Sequence, residues 1–281
     1  MAKRPLRVLL ITRGHPFPRD AFFEMFESMA DIDVTHVEHP AAQVFFDPVL
    51  AREWDAFVLY DMPGLDFQAH PPPRFVPPPE SLRRNFRRLL DEGFGIVFLH
   101  HALAGWPAWP EYGEIIGGRF LYQPMQVRGT QCQDSGYRHD VTHQVRVLAG
   151  GHPVVEGLPE RFTMTDELYL AEVFEDSIVP LLASDHDFVA ANFHSAALAV
   201  AGEMYSNRGW SHPRGSPLVG WARREGASPL VYLQGGDGPP AYADPNYRRL
   251  VNNAVHWVSS PAAHAWARTP DSSTSRTEAS K

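Results

Sequence analysis

The chain has 281 residues, enough to bury a full α/β core, and its 44% hydrophobic and 21% charged content is ordinary for a globular protein. A net charge of −8 with scattered arginines and almost no lysine argues against a nucleic-acid partner, since a polyanion needs a clustered basic face. One cysteine, Cys132, excludes internal disulfides and thiolate metal clusters and suits a reducing compartment.

Met1–Pro5 passes into a strand without a signal-peptide core, and no apolar run approaches the ~20 residues of a membrane span. A cytoplasmic location and no membrane partner are expected. Leu6–Thr12 reads as a buried strand ending in Arg13-Gly14-His15-Pro16. Asp20 is the expected N-cap of a helix carrying Phe22, Phe23, Phe26 and Met29. Asp33–Val37 and Trp54–Tyr60 read as strands, the latter ending at Asp61. The prolines of residues 70–79 form an extended surface loop. Glu80–Glu92 is helical, with Gly93 as its C′ residue, and Gly95–Leu99 is a strand buried on both faces.

This alternation predicts a parallel sheet wrapped by helices. Ligands of open α/β sheets bind outside the carboxyl ends of the strands. His100-His101 stands at that end of the most apolar strand, and His15 and Asp61 stand at two others. Trp106–Phe120 is expected to close over these ends. Val141–Leu148 reads as a strand led by His139 and His143. Four residues of strand separate that pair by ~13 Å, which rules it out as a chelate. Phe162–Tyr169 contains Asp166-Glu167, and Ile178–Ala183, Ala196–Ala201, Pro217–Ala222 and Pro229–Leu233 read as further strands. Asn246–Val258 is an amphipathic closing helix. The expected division is one domain over residues 1–261 and a disordered tail over 262–281.

The stretches Gly95–Ala102, Tyr112…Gly117-Gly118-Arg119-Phe120, His152-Pro153…Gly157-Leu158-Pro159, Asp166–Tyr169, Pro217…Trp221 and Tyr232…Gly236-Asp237…Trp257 follow one another in a familiar order. Across about residues 6 to 258 the chain resembles the ThuA-like, or trehalose-utilisation, family. That resemblance implies a class I glutamine amidotransferase-like, flavodoxin-like three-layer sandwich with a mainly parallel central sheet. It also implies a link to sugar metabolism, through oxidised (3-keto) disaccharides. The family carries Gly-His where this chain has Gly236-Asp237, which implies a carboxylate in place of a site histidine.

An amidotransferase needs a cysteine on the turn after the central strand. That turn is His100-His101-Ala102, with Cys132 some thirty residues away, so cysteine-dependent glutaminase chemistry is not expected. Histidine with carboxylate suits general acid–base work, or a divalent metal bound through nitrogen and oxygen, which the residues leave open. The expected catalytic set is His101, His100, Asp166, Glu167 and Asp237, with His101 facing the cleft in the nucleophile's place and His100 packed against the first-strand loop. The expected substrate-binding set is His15, Asp61, Trp106, Tyr112, Tyr169 and Trp221, its aromatics stacking on a sugar. Two classes remain: a sugar- or keto-sugar-active enzyme, and a non-catalytic sugar-binding or partner module. They are told apart by whether a carboxylate meets the histidines. The expected partner is a small-molecule sugar, and self-association into a homo-oligomer stays open.

Overall fold

The structure, a computed structural model, describes residues 4–269. Its main sheet is built from β1 (Leu6–Arg13), β2 (Ile32–Glu38), β3 (Ala56–Asp61), β4 (Ile96–Leu99), β5 (Gly136–Val147), β6 (Arg161–Leu170), β7 (Val179–Ser184), β8 (Leu218–Glu225) and β9 (Ser228–Leu233). Their order across the sheet is β6-β5-β7-β8-β9-β4-β3-β1-β2, and a two-residue strand, His194–Ser195, pairs with β5. From β9 to β2 all neighbours are parallel. From β9 to β6 all are antiparallel.

The helices that matter here are α1 (Arg19–Glu27), α2 (Glu80–Glu92), α3 (Pro110–Ile116), α4 (Ala196–Val200), α5 (Pro239–Ala243), α6 (Pro245–Val258) and α7 (Pro261–Ala267). Successive strand residues point to opposite faces, so β1 feeds two cores. Val8 and Leu10 join Phe22 and Met25 of α1 and Leu250 and Val251 of α6. Leu9 and Ile11 join Phe86, Leu89 and Leu90 of α2. Both faces are covered, which is why the parallel strands read as unbroken apolar runs. The result is a three-layer α/β sandwich whose central sheet is parallel from β9 to β2 and carries an antiparallel extension from β9 to β6.

Three local expectations need correction. Asp20 lies inside the first turn of α1, and Pro18 takes the cap position. Ala196–Ala201 is helical, not a strand. Alanine is the best helix former, and the Ser195 side chain accepts from the Leu198 N–H as an N-cap. The tail expected from residue 262 begins as α7 instead, capped by Ser260 and burying Ala263 and Ala267. The rest of that tail lies outside the described residues.

One consequence of the topology positions the site. β6 and β4 are five places apart in the sheet order, yet Glu167 on β6 bonds His100 at the end of β4. The antiparallel half therefore curls back over the carboxyl ends of the parallel half, as sheet twist allows.

Candidate functional site

The chain leaves β4 through a tight 3-10 turn, His100–Ala104, and His100 itself has φ +36°. A non-glycine residue held at positive φ is strained, and such strain gathers at functional turns. In hydrolases of related architecture the nucleophile occupies a strained strand-to-helix turn of this kind. The residue in that position is His100, not the expected His101.

His100 is fully buried. Its Nδ1 faces the Gln234 carbonyl oxygen. Its Nε2 lies 2.9 Å from Glu167 Oε2 and 2.9 Å from the Tyr169 hydroxyl, with Asp237 Oδ1 at 3.5 Å. Both ring nitrogens thus face acceptors, the surroundings of an imidazolium. Burial opposes that charge, but hydrogen bonds to Asp237 and Glu167 outweigh it and hold the His100 pKa well above 6.5.

The neighbouring ring is opposite in character. His101 packs against His15 and Tyr60, with ring centroids 4.2 and 4.8 Å away, so it is His101 that meets the first-strand loop. Burial first, then the charge on His100, pushes its pKa well below 6.5. His101 Nδ1 lies 3.3 Å from the Tyr169 hydroxyl.

Asp237 belongs to the loop after β9, which β6 pins in place. The Gly236 and Asp237 N–H groups both donate to the Asp166 carboxylate, the latter at 3.0 Å. The Gln234 amide oxygen accepts from the Tyr169 N–H at 3.0 Å. Gly236 has φ +109°, and a Cβ there would lie 2.1 Å from the Tyr247 hydroxyl oxygen, so only glycine fits. Burial pushes the Asp166 carboxyl up to about 7. Asp166 thus anchors the loop. Burial also raises Asp237, but hydrogen bonds from His100 and His139 overcome it and hold that carboxylate below its ordinary range.

His139 completes the group. Its Nδ1 lies 3.3 Å from Glu167 Oε1 and 3.7 Å from Asp237 Oδ2, and the hydrogen bond to Asp237 raises its pKa. It enters the site without His143, which bonds the Ser184 hydroxyl instead. The sequence signal was Tyr137-x-His139, two residues alternating onto one face of a strand that starts five residues before Val141.

A pocket of about 360 Å³ opens against this cluster, lined by His15, His139, Glu167 and Tyr169 and walled by Phe120, Tyr122 and Tyr137 among others. His15 and Tyr169 are therefore where a ligand can reach them. The other expected contacts are not. Asp61 is buried against His39 at 2.7 Å, and Trp106 sets its ring beside that same His39. Tyr112 lies in the core with Phe86 and Phe98. Trp221 is fully buried and donates to the Ile116 carbonyl at 2.7 Å. Large aromatics of this kind are more valuable to a core than to a rim. Cys132 sits on a separate hairpin with Met125–Val127, where burial and Glu172 raise its thiol pKa.

Fold and site together define an α/β sandwich that carries a histidine–carboxylate cluster on its central turn. Residues 7–258 match the family model ThuA, described as trehalose utilisation, and the chain belongs to that family. This membership supports a role related to carbohydrate metabolism. Among solved structures, a ThuA-like protein from Parabacteroides merdae is 17% identical, with a TM-score of 0.64, covering 92% of this chain and 91% of its own. One from Bacteroides uniformis is 16% identical, with a TM-score of 0.60 and coverages of 92% and 93%. A cytoplasmic protein of Salmonella typhimurium is 14% identical, with a TM-score of 0.54 and coverages of 91% and 100%. At these identities the likeness is one of fold. No curated protein matches the chain. Among the described residues no helix is long and apolar enough to cross a membrane.

Proposed function

We propose that this ThuA-family protein is an enzyme acting on a sugar or keto-sugar by histidine–carboxylate acid–base chemistry, and not a cysteine-dependent glutaminase. The observation that carries this reading is the His100–Glu167 contact of 2.9 Å immediately behind the pocket wall. A module that only bound a sugar would need the aromatic walls and nothing of this buried ion pair, whose assembly desolvates two charges.

The roles divide by position. Glu167 reaches the pocket and is the proton acceptor. His139, also at the pocket and with its pKa raised by Asp237, is the donor to a developing oxyanion or leaving oxygen. His100 does not line the pocket. It fixes the orientation of Glu167 from behind. Phe120, Tyr122 and Tyr137 offer flat apolar surface to the C–H faces of a sugar ring, while the polar groups meet its hydroxyl edge. A small-molecule sugar partner and a cytoplasmic location belong to the same reading.

The test is a panel of 3-keto and unmodified disaccharides, with binding followed by calorimetry and turnover by NMR. Turnover of a keto-disaccharide is expected, and Glu167→Gln should lower it by about a hundredfold, the scale of a lost general base. Full turnover by folded Glu167→Gln, or no binding by any member of the panel, would overturn the proposal.

A further inference from the structure

Behind the pocket, the acid–base reading leaves one arrangement unused. His101 is only 1% exposed, and its Nε2 has no hydrogen-bond partner within the protein. That nitrogen points at Asp237 Oδ1, 3.9 Å away. The Nδ1 of His15, on the ring packed against His101, is likewise buried and without a partner. One ligand atom from each of His15, His101 and Asp237 lies within 4.8 Å of the other two.

We propose that His15, His101 and Asp237 form a two-histidine, one-carboxylate site for a divalent transition-metal ion, with its free coordination position toward the pocket that His15 lines. Two donors each about 2.1 Å from one ion cannot lie further apart than about 4.2 Å. The 3.9 Å between His101 Nε2 and Asp237 Oδ1 meets that limit. Two imidazole nitrogens and one carboxylate oxygen suit zinc, manganese, iron or cobalt, and are poor ligands for calcium or magnesium, which prefer oxygen alone. Three protein ligands also leave room for water or substrate on the ion.

The surroundings have the features of a ligand shell. A His101 Nδ1–H donated to the Tyr169 hydroxyl, 3.3 Å away, leaves the Nε2 lone pair for the metal, as ligating histidines usually arrange it. Asp237 is held by its own backbone N–H on Asp166. A second grouping, His100, Glu167 and Asp237, is equally compact. It is the weaker choice, because both His100 nitrogens already face acceptors and a doubly protonated ring has no lone pair to give.

The inference goes beyond the sugar reading and is tested without any sugar. The full chain is stripped with EDTA, exchanged into chelator-free buffer and titrated with Zn²⁺, Mn²⁺ and Co²⁺ by calorimetry, with bound metal counted by mass spectrometry. One equivalent of at least one of these ions per chain is expected. His101→Gln and Asp237→Asn should each weaken it by about tenfold to a hundredfold or more, while His256→Gln, which changes a histidine paired with Asp31, should not. Circular dichroism checks that each variant folds, and His15→Gln, on a half-buried loop residue, tests the same ligand set if His101→Gln does not. Binding well below one equivalent, or full affinity in Asp237→Asn, overturns the metal site and leaves the acid–base proposal untouched. Loss of turnover in Glu167→Gln with metal still bound separates the two in the other direction.

Discussion

The two halves of the sheet contribute to the site in different ways. The parallel half delivers residues by topology alone. Strands running the same way end at the same edge, so His15, His100, His101 and Asp237 arrive together whatever their neighbours do. The antiparallel half has no such rule. It brings His139, Glu167 and Tyr169 to that edge only because the sheet curls until β6 lies over the end of β4. The cluster is therefore a seam, with imidazoles mostly from one side and the pocket-lining carboxylate from the other. Its assembly depends on whatever ties the two halves together.

The largest effect is expected from cutting that tie. Asp166 takes backbone N–H groups from Gly236 and Asp237 across the seam, and it is 5% exposed. Asp166→Ala would orphan one buried and one half-buried donor, at a cost of about 1–3 kcal/mol for the buried one and less for the other. A loss of about 3 kcal/mol in unfolding free energy is expected, read by urea denaturation, together with loss of any ligand binding. A loss below about 1 kcal/mol would mean that the loop is held from elsewhere and the seam account is wrong.

The same division explains what could be read from the chain. The central strand, α2 with its Gly93 terminus (φ +91°) and the strand-end histidines were legible, because apolar runs and helical spacing are local signals. The curl is not local. Nothing in Phe162–Tyr169 says that Glu167 will line the pocket while Asp166 turns to anchor a loop, although alternation on a strand separates the two. The aromatic set went astray for a related reason. Trp106, Tyr112 and Trp221 have the composition of a sugar platform, but the loop before α3, α3 itself and β8 fold them inward, and the pocket took Phe120, Tyr122 and Tyr137. For the histidine pair the alternation was anticipated but its direction was not, since the strained turn at His100 rotates that ring toward Glu167.

A smaller effect separates the two adjacent histidines. In metal-free protein, NMR titration should show His100 still protonated well above pH 6.5 and His101 still neutral well below it. The stability consequence follows from linkage. A folded pKa raised above the unfolded 6.5 means that the contribution of His100 is fully present below about pH 6.5 and is lost as pH rises through the raised value. The depressed pKa of Asp237 works the other way: its contribution is present above about pH 3.8 and is lost as pH falls through the folded value. Unfolding free energy should therefore decline on the alkaline side, and His100→Gln should flatten that decline. An equal decline in the variant would place the responsible group elsewhere.

The smallest effect is expected at Cys132, and its smallness is informative. A thiol nucleophile requires a lowered pKa and a place on the central turn. Cys132 has neither, since it sits on its own hairpin and burial, with the nearby Glu172, raises its pKa. It does share an open surface pocket with Glu172 and His212, so a cysteine–histidine pairing is the one route by which thiol chemistry could return. The geometry argues against it. Cys132 Sγ hydrogen-bonds the Thr130 carbonyl, and His212 Nδ1 bonds the carbonyl of Pro213. The antiparallel half thus carries a second polar pocket with reactive residue types but without the buried ion pair that marks the seam. Cys132→Ser should leave unfolding free energy within about 0.5 kcal/mol of the parent, and turnover of a keto-disaccharide unchanged. A folded Cys132→Ser protein with no turnover would move the chemistry from the seam to that pocket.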